Sequence, residues 1–265
     1  MHKGFDSPQV FARKKRENDM KKTLASMFVG MLLCAGVATA AHAGAYNLYP
    51  PYFAWDNNFN NSNIAWSPSS GQYPQWTASF NFSSNSLYGY PASIRGWHYG
   101  WNPTGDTLFP KQLSTVSTIP AAFSYASGGS NMAGDFAYDM FLRNDNQKST
   151  PQLEVMIWAG NNSYPIGQPI ATGVITENGV TYDLWYGDNS AAGYYVYTFL
   201  PQRSSVPSSL PTSGSANIDI MHFFNKLVGR ASFSKSMYLD VVEAGCEIVR
   251  GNGWVSTTWF QVNAQ

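Results

Sequence analysis

Along this chain, short runs of aromatic and β-branched residues alternate with Gly, Pro, Asn and Ser. Segments 136–142, 152–158, 193–200, 238–249 and 254–262 read as strands. Residues 174–177 and 180–182 flank Asn178-Gly179, a dipeptide favoured in two-residue hairpins. Strands at such spacings build sandwiches, in which alternate residues face the core and the outside. The Pro- and Ser-rich stretch 201–213 reads as a loop within one domain, and no internal repeat is seen. One helix breaks the pattern. Ile220, Met221, Phe223, Phe224, Leu227 and Val228 recur at 3.6-residue spacing, with Ser215 as candidate N-cap and Gly229 as the stop. The expected fold is all-β, an antiparallel sandwich with a single helix laid against it.

Residues 1–43 read differently. Lys21-Lys22, an apolar stretch over 27–37 and the ending Ala41-His42-Ala43 form the n-region, h-region and A-x-A site of a secretory signal peptide, cleaved before Gly44. The apolar run is short for a membrane span. Residues 1–19, with Arg13-Lys14-Lys15-Arg16, read as an extension from an upstream start codon. The expected mature domain, 44–265, carries 9 basic and 13 acidic residues. That balance speaks against nucleic acid or an anionic membrane as partner, because no basic patch is available to neutralise phosphate. Cys246 is its one cysteine, so no intrachain disulfide is expected. With only His98 and His222 beside it, no metal-ligand cluster is visible. All 9 Trp and all 16 Tyr lie in this domain. Many such rings belong to a core, but they also suit carbohydrate, whose C–H faces stack and whose hydroxyls hydrogen-bond.

Glutamate is scarce here: Glu154, Glu177, Glu243 and Glu247. Glu177 sits beside the Asn178-Gly179 turn and reads as a solvated hairpin charge. The others lie inside strand patterns, where an unpaired buried acid is costly. Alternation puts Glu154, Met156 and Trp158 on one face, with Leu153, Val155 and Ile157 opposite. That face is either a cleft floor or a solvated sheet surface. Val241, Glu243, Gly245 and Glu247 likewise share a face, with Gly245 leaving open space and Cys246 pointing into the core as a buried thiol. Two acids on a concave sheet supply what glycosidic cleavage needs, one to protonate the leaving oxygen and one to attack or activate water. Asp139 is a third in-strand acid, able to share a proton with one of them.

These residues resemble the family 12 glycoside hydrolases, endo-β-1,4-glucanases and xyloglucanases. Residues 154–158 resemble the E-x-M-I-W motif that carries the nucleophile. Residues 137–141 resemble the A-Y-D-hydrophobic-F segment, and Gly245-Cys246-Glu247 the G-x-E motif of the acid/base. Tyr90-Pro91 with Gly96-Trp97, Pro165-Ile166-Gly167, residues 184–189 and Asn217-Ile218-Asp219 before Phe223-Phe224 follow in the family's order. Departures are present. Ile248-Val249 stands where Pro is common, Phe80-x-Phe82 replaces a W-x-W pair, Phe53-Ala54 precedes Trp55 in place of the sugar-stacking N-x-W, and the common N-terminal disulfide is missing.

The resemblance implies a β-jelly roll of two antiparallel sheets with the α-helix on the convex side. It implies a secreted, retaining endo-β-1,4-glucanase, extracellular or periplasmic, acting as a monomer on β-glucan without cofactor or metal. Glu154 is then the nucleophile, Glu247 the acid/base and Asp139 the residue that orients Glu154. Trp55, Trp97, Met156, Trp158 and Trp185 line the cleft. Glu243, where relatives often carry Gln, is a cleft residue. The alternative is a non-catalytic glycan-binding jelly roll that keeps the cleft.

Overall fold

The computed structural model describes residues 44–265 apart from 60, 147–149 and 205–206; the expected signal peptide lies outside the described residues. Among the described residues thirteen strands and one α-helix follow in order: β1 (Tyr46–Tyr49), β2 (Tyr52–Trp55), β3 (Ala65–Pro68), β4 (Trp76–Phe82), β5 (Ala92–Gly96), β6 (Lys111–Gln112), β7 (Pro120–Arg143), β8 (Leu153–Asn161), β9 (Gln168–Glu177), β10 (Val180–Asn189), β11 (Tyr194–Pro201), β12 (Ser213–Asp219), α1 (Ile220–Leu227) and β13 (Tyr238–Val262).

The inner layer runs β1-β2-β5-β13-β7-β8-β11-β10-β9. The outer layer pairs β4 with the second half of β13, β3 with β4, and β12 with the first half of β7. Strands β7 and β13 are 24 and 25 residues long and serve both layers, passing between them through register shifts around Ile248, Arg250 and Asn252. The two sheets of the jelly roll are therefore joined into one hydrogen-bonded network.

One pairing departs from an antiparallel sandwich: β11 lies parallel to β8, with Val196 opposite Glu154. The cause is topological. Strands β9, β10 and β11 form a three-strand meander that the chain enters, at β9, in the direction of β8, and its last strand docks on β8. A third antiparallel strand points the same way as the first, so β11 enters in the direction of β8.

The core between the layers takes one side of each inner strand: Phe136, Tyr138, Met140 and Leu142 from β7, Leu153, Val155 and Ile157 from β8, and Val242, Ala244, Cys246 and Ile248 from β13. Helix α1 covers the convex side of β10 and β11, its Phe223 ring meeting Tyr182 at 5.1 Å and Phe199 at 5.0 Å. Its N-cap is Asp219, whose carboxylate accepts from Met221 N at 3.0 Å and Ile119 N at 2.8 Å. Ser215, expected as the cap, lies within β12, a strand too poor in apolar residues to announce itself. Glu177 is not a free hairpin charge: it bonds His222 Nδ1 at 3.0 Å and so ties the β9–β10 turn to α1.

Candidate active site

The concave face of the inner layer carries the side chains that alternation directs away from the core. Phe53 and Trp55 (β2), Ala92 and Ile94 (β5), Val241 (β13), Ala137 and Phe141 (β7), Met156 and Trp158 (β8), and Tyr194 and Val196 (β11) form a second apolar cluster there. Acids from β7, β8 and β13 are set among them. Asp139 lies directly opposite Glu243 across β7–β13, Asp135 opposite Glu247, and Phe141 opposite Glu154 across β7–β8. All five acids, Asp135, Asp139, Glu154, Glu243 and Glu247, stand on one face, as a period of two requires.

Each acid has a partner. The carboxyls of Asp139 and Glu154 are hydrogen-bonded to one another, and so are those of Asp135 and Glu247. A bond between two carboxyls requires a proton between them, so each pair holds at least one. Glu243 Oε1 lies 2.6 Å from His98 Nδ1. Tyr194 adds its hydroxyl to Glu154.

Burial sets the electrostatics. It pushes the Glu154 carboxyl up, to about 8, and the charge of Glu247 adds to the rise; hydrogen bonds from Asp139 and Tyr194 pull the other way. Burial also holds Asp139 and Asp135 well above the usual carboxylate range, reinforced by Glu154 and Glu247 respectively. Glu247 is raised by burial too, against the pull of its bond from Asp135. In each pair the aspartate is the last to give up its proton and donates it to the glutamate when that is ionised; Glu247, itself raised, carries a proton of its own below that point.

The expected binding residues separate into three groups. Trp55, Met156 and Glu243 lie on the concave face, as alternation requires. Trp158 joins the same face but is 1 % exposed, so it supports the floor and offers little surface for stacking. Trp185, opposite Thr198 on β11, is half-buried at the far end of the row, 6.0 Å from the exposed ring of Tyr164. Trp97 does not join the cleft. Gly96 takes φ +116° and turns the chain, and the Trp97 indole donates to the Phe109 carbonyl at 3.0 Å, toward the core. Trp101 stands where Trp97 was expected, with ring centroids 5.5 Å from Trp55 and 4.9 Å from Phe53. The space above Gly245 is not open either. A Cβ there would meet the Pro91 carbonyl at 2.5 Å and the Tyr90 ring at 2.9 Å, and the Tyr90 hydroxyl bonds the Ala137 carbonyl.

Asp135, His98, Tyr99, Tyr90 and Tyr194 are absent from the expected site. Asp135 was within reach of the sequence, since it precedes Ala137 and Asp139 at the same period of two. So was His98, which continues the count from Ala92 and Ile94. The tyrosines come from loops and strand ends, which alternation does not address. Among the described residues, no group of three or more His, Cys, Asp or Glu is placed to hold a metal ion.

A concave β-sheet bearing two proton-sharing acid pairs on an aromatic floor is the working surface of a glycoside hydrolase. The chain belongs to glycosyl hydrolase family 12, whose model matches residues 59–264. It is 34% identical over 173 residues to a xyloglucan-specific endo-beta-1,4-glucanase A of Aspergillus niger, covering 59% of this chain and 67% of that one. It is 29% identical over 201 residues to endoglucanase S of Pectobacterium parmentieri, covering 72% and 71%. Its fold is that of a native family 12 xyloglucanase from Bacillus licheniformis, with a TM-score of 0.70 at 24% identity over 86% of this chain and 99% of that one.

Proposed function

We propose that this endo-β-1,4-glucanase works by double displacement, with Glu154 as nucleophile and Glu247 as acid/base. The observation that carries the reading is the pairing of each glutamate with its own buried aspartate on one concave face. Glu154 bonds to the anomeric carbon as the glycosidic C–O bond breaks, and Glu247 gives its proton to the departing oxygen. Glu247 then takes a proton from water, which attacks the same carbon and releases Glu154. Asp139, holding the shared proton, donates to Glu154 and keeps it aimed.

The floor supports a chain lying across the strands, from Trp55 on β2 toward Trp185 on β10. The substrate is a β-1,4-glucan. The relatives from Aspergillus niger and Bacillus licheniformis make xyloglucan a substrate to test beside cellulose and mixed-linkage glucan. A non-catalytic binding module has no use for two acids each tuned by an aspartate, and that alternative is set aside. The signal-peptide pattern over 21–43 supports export, and among the described residues no helix is long and apolar enough to cross a membrane.

Reducing-sugar release from cellulose, mixed-linkage glucan and xyloglucan tests the reading. Activity is expected on at least one, with Glu154→Gln and Glu247→Gln each lowering it by roughly 10²–10⁴-fold and Glu243→Gln much less. Equal losses at Glu243 and Glu247 would mean the wrong acid is chosen on β13.

A further inference from the structure

His98 and Trp101 close a two-residue hairpin at the rim of the cleft, exchanging backbone bonds of 2.9 and 2.8 Å around Tyr99-Gly100. Both central residues have positive φ, +47° at Tyr99 and +87° at Gly100. Such turns favour Asn-Gly, because a side chain with a bulky ring is strained in the left-handed region. The chain uses the favoured pair elsewhere: Asn178 adopts the same φ of +47° before Gly179 in the β9–β10 hairpin. At the cleft, tyrosine occupies the position that suits asparagine.

The strained backbone delivers the Tyr99 ring over the concave face. It packs on Phe141 at 5.2 Å and on His98 at 4.8 Å, and its hydroxyl donates to that of Tyr194 at 3.1 Å. Tyr194 stands two residues from Val196, the residue opposite Glu154, and bonds the Glu154 carboxyl. A phenol carries one proton. Once the Tyr194 oxygen accepts from Tyr99, the proton of Tyr194 is directed to Glu154, and bonds aligned in this way strengthen one another.

We propose that Tyr99 is a positioning residue for the nucleophile, acting through Tyr194 to hold the Glu154 carboxylate in its attacking orientation. The inference rests on Glu154 being the nucleophile. The titratable groups facing Glu154 are Asp135 and Asp139 from β7, Glu243 and Glu247 from β13, Tyr194 from β11 and Tyr99 itself. Of these, only Tyr194 is linked to Tyr99 by a hydrogen bond of its own. Losing the tyrosine chain removes a donor to the ionised form of Glu154, so Glu154 ionises at higher pH and the acidic limb of the rate profile moves up.

The test is a double-mutant cycle with Tyr99→Phe and Tyr194→Phe, which keep both rings, assayed on an aryl β-cellobioside across pH. Tyr194→Phe is expected to lower kcat roughly tenfold, with KM within about twofold, and to raise the acidic limb by about one pH unit. Tyr99→Phe should do the same to a smaller extent, about threefold in kcat, and should add nothing in the Tyr194→Phe background. Tyr99→Asn, which suits the turn, should show the same kcat loss without a fall in Tm. The proposal is overturned if the two Phe substitutions are additive, or if Tyr99→Phe changes KM alone and leaves the acidic limb in place. If the nucleophile assignment itself fails, Glu154→Ala keeps turning over, and the proposal fails with it. If only the proposal fails, Glu154→Ala is inactive while the cycle is additive.

Discussion

Asp135 and Glu247 face each other directly across the β7–β13 ladder, and their carboxyls share a hydrogen bond on the concave side. The aspartate gives up its proton after the glutamate does, so it donates to Glu247 and stabilises the ionised form of this proposed general acid. Asp135→Ala removes that donor. Glu247 is then expected to hold its proton to higher pH, moving the alkaline limb of the activity profile up while kcat falls roughly tenfold or more through lost orientation. Asp135→Asn restores a donor and should leave the limb close to its original place. A pH–rate profile of the two variants decides; an alkaline limb that moves down in Asp135→Ala would contradict the account.

Buried carboxyls also set how stability varies with pH. Asp135, Asp139, Glu154 and Glu247 all hold protons in the folded state above the pH at which the unfolded chain releases them. The folded state therefore binds more protons than the unfolded one, and stability falls as pH rises from the ordinary carboxylate range near 4.5 toward the Glu154 value of about 8. Urea midpoints at pH 5 and pH 8 should show the earlier unfolding at pH 8. Glu154→Gln, which has no proton to lose, should flatten the difference. A higher midpoint at pH 8 in the unsubstituted enzyme would refute this.

The N-cap of α1 gives a prediction remote from the cleft. Asp219 binds two backbone N–H groups, one in its own helix and one at Ile119 before β7. Asp219→Ala is expected to cost about 1–2 kcal/mol and lower Tm by roughly 2–8 °C, with kcat unchanged. Ser215→Ala, in the exposed part of β12, should be near neutral by calorimetry.

Much of the site was legible because a strand has a period of two. Glu154, Met156 and Trp158, and Glu243 with Glu247, reach one face by counting alone, and Cys246 reaches the core by the same count. Counting fails where the backbone leaves the strand geometry. At Trp97 it is the family resemblance that fails, since the count from Ala92 and Ile94 turns Trp97 away from the cleft and His98 toward it, as found. Tyr90 enters from outside a strand to fill the space over Gly245. The hairpin that presents Tyr99 lacks the Asn that marks such turns, and β12 lacks apolar alternation. The parallel entry of β11 follows from the direction in which the chain crosses from β8 into β9, which local patterning does not encode.

The central claim assigns opposite roles to Glu154 and Glu247, and azide reads those roles from product stereochemistry. With an activated aryl β-cellobioside the leaving group needs no proton, so Glu247→Ala should still form the glycosyl-enzyme, seen as a burst. Azide should then intercept it to give the β-glycosyl azide. Glu154→Ala should show no burst, and azide should enter the vacated face directly to give the α-glycosyl azide. The two anomers are distinguished by NMR. The reverse assignment, α-azide from Glu247→Ala and β-azide from Glu154→Ala, would contradict the account.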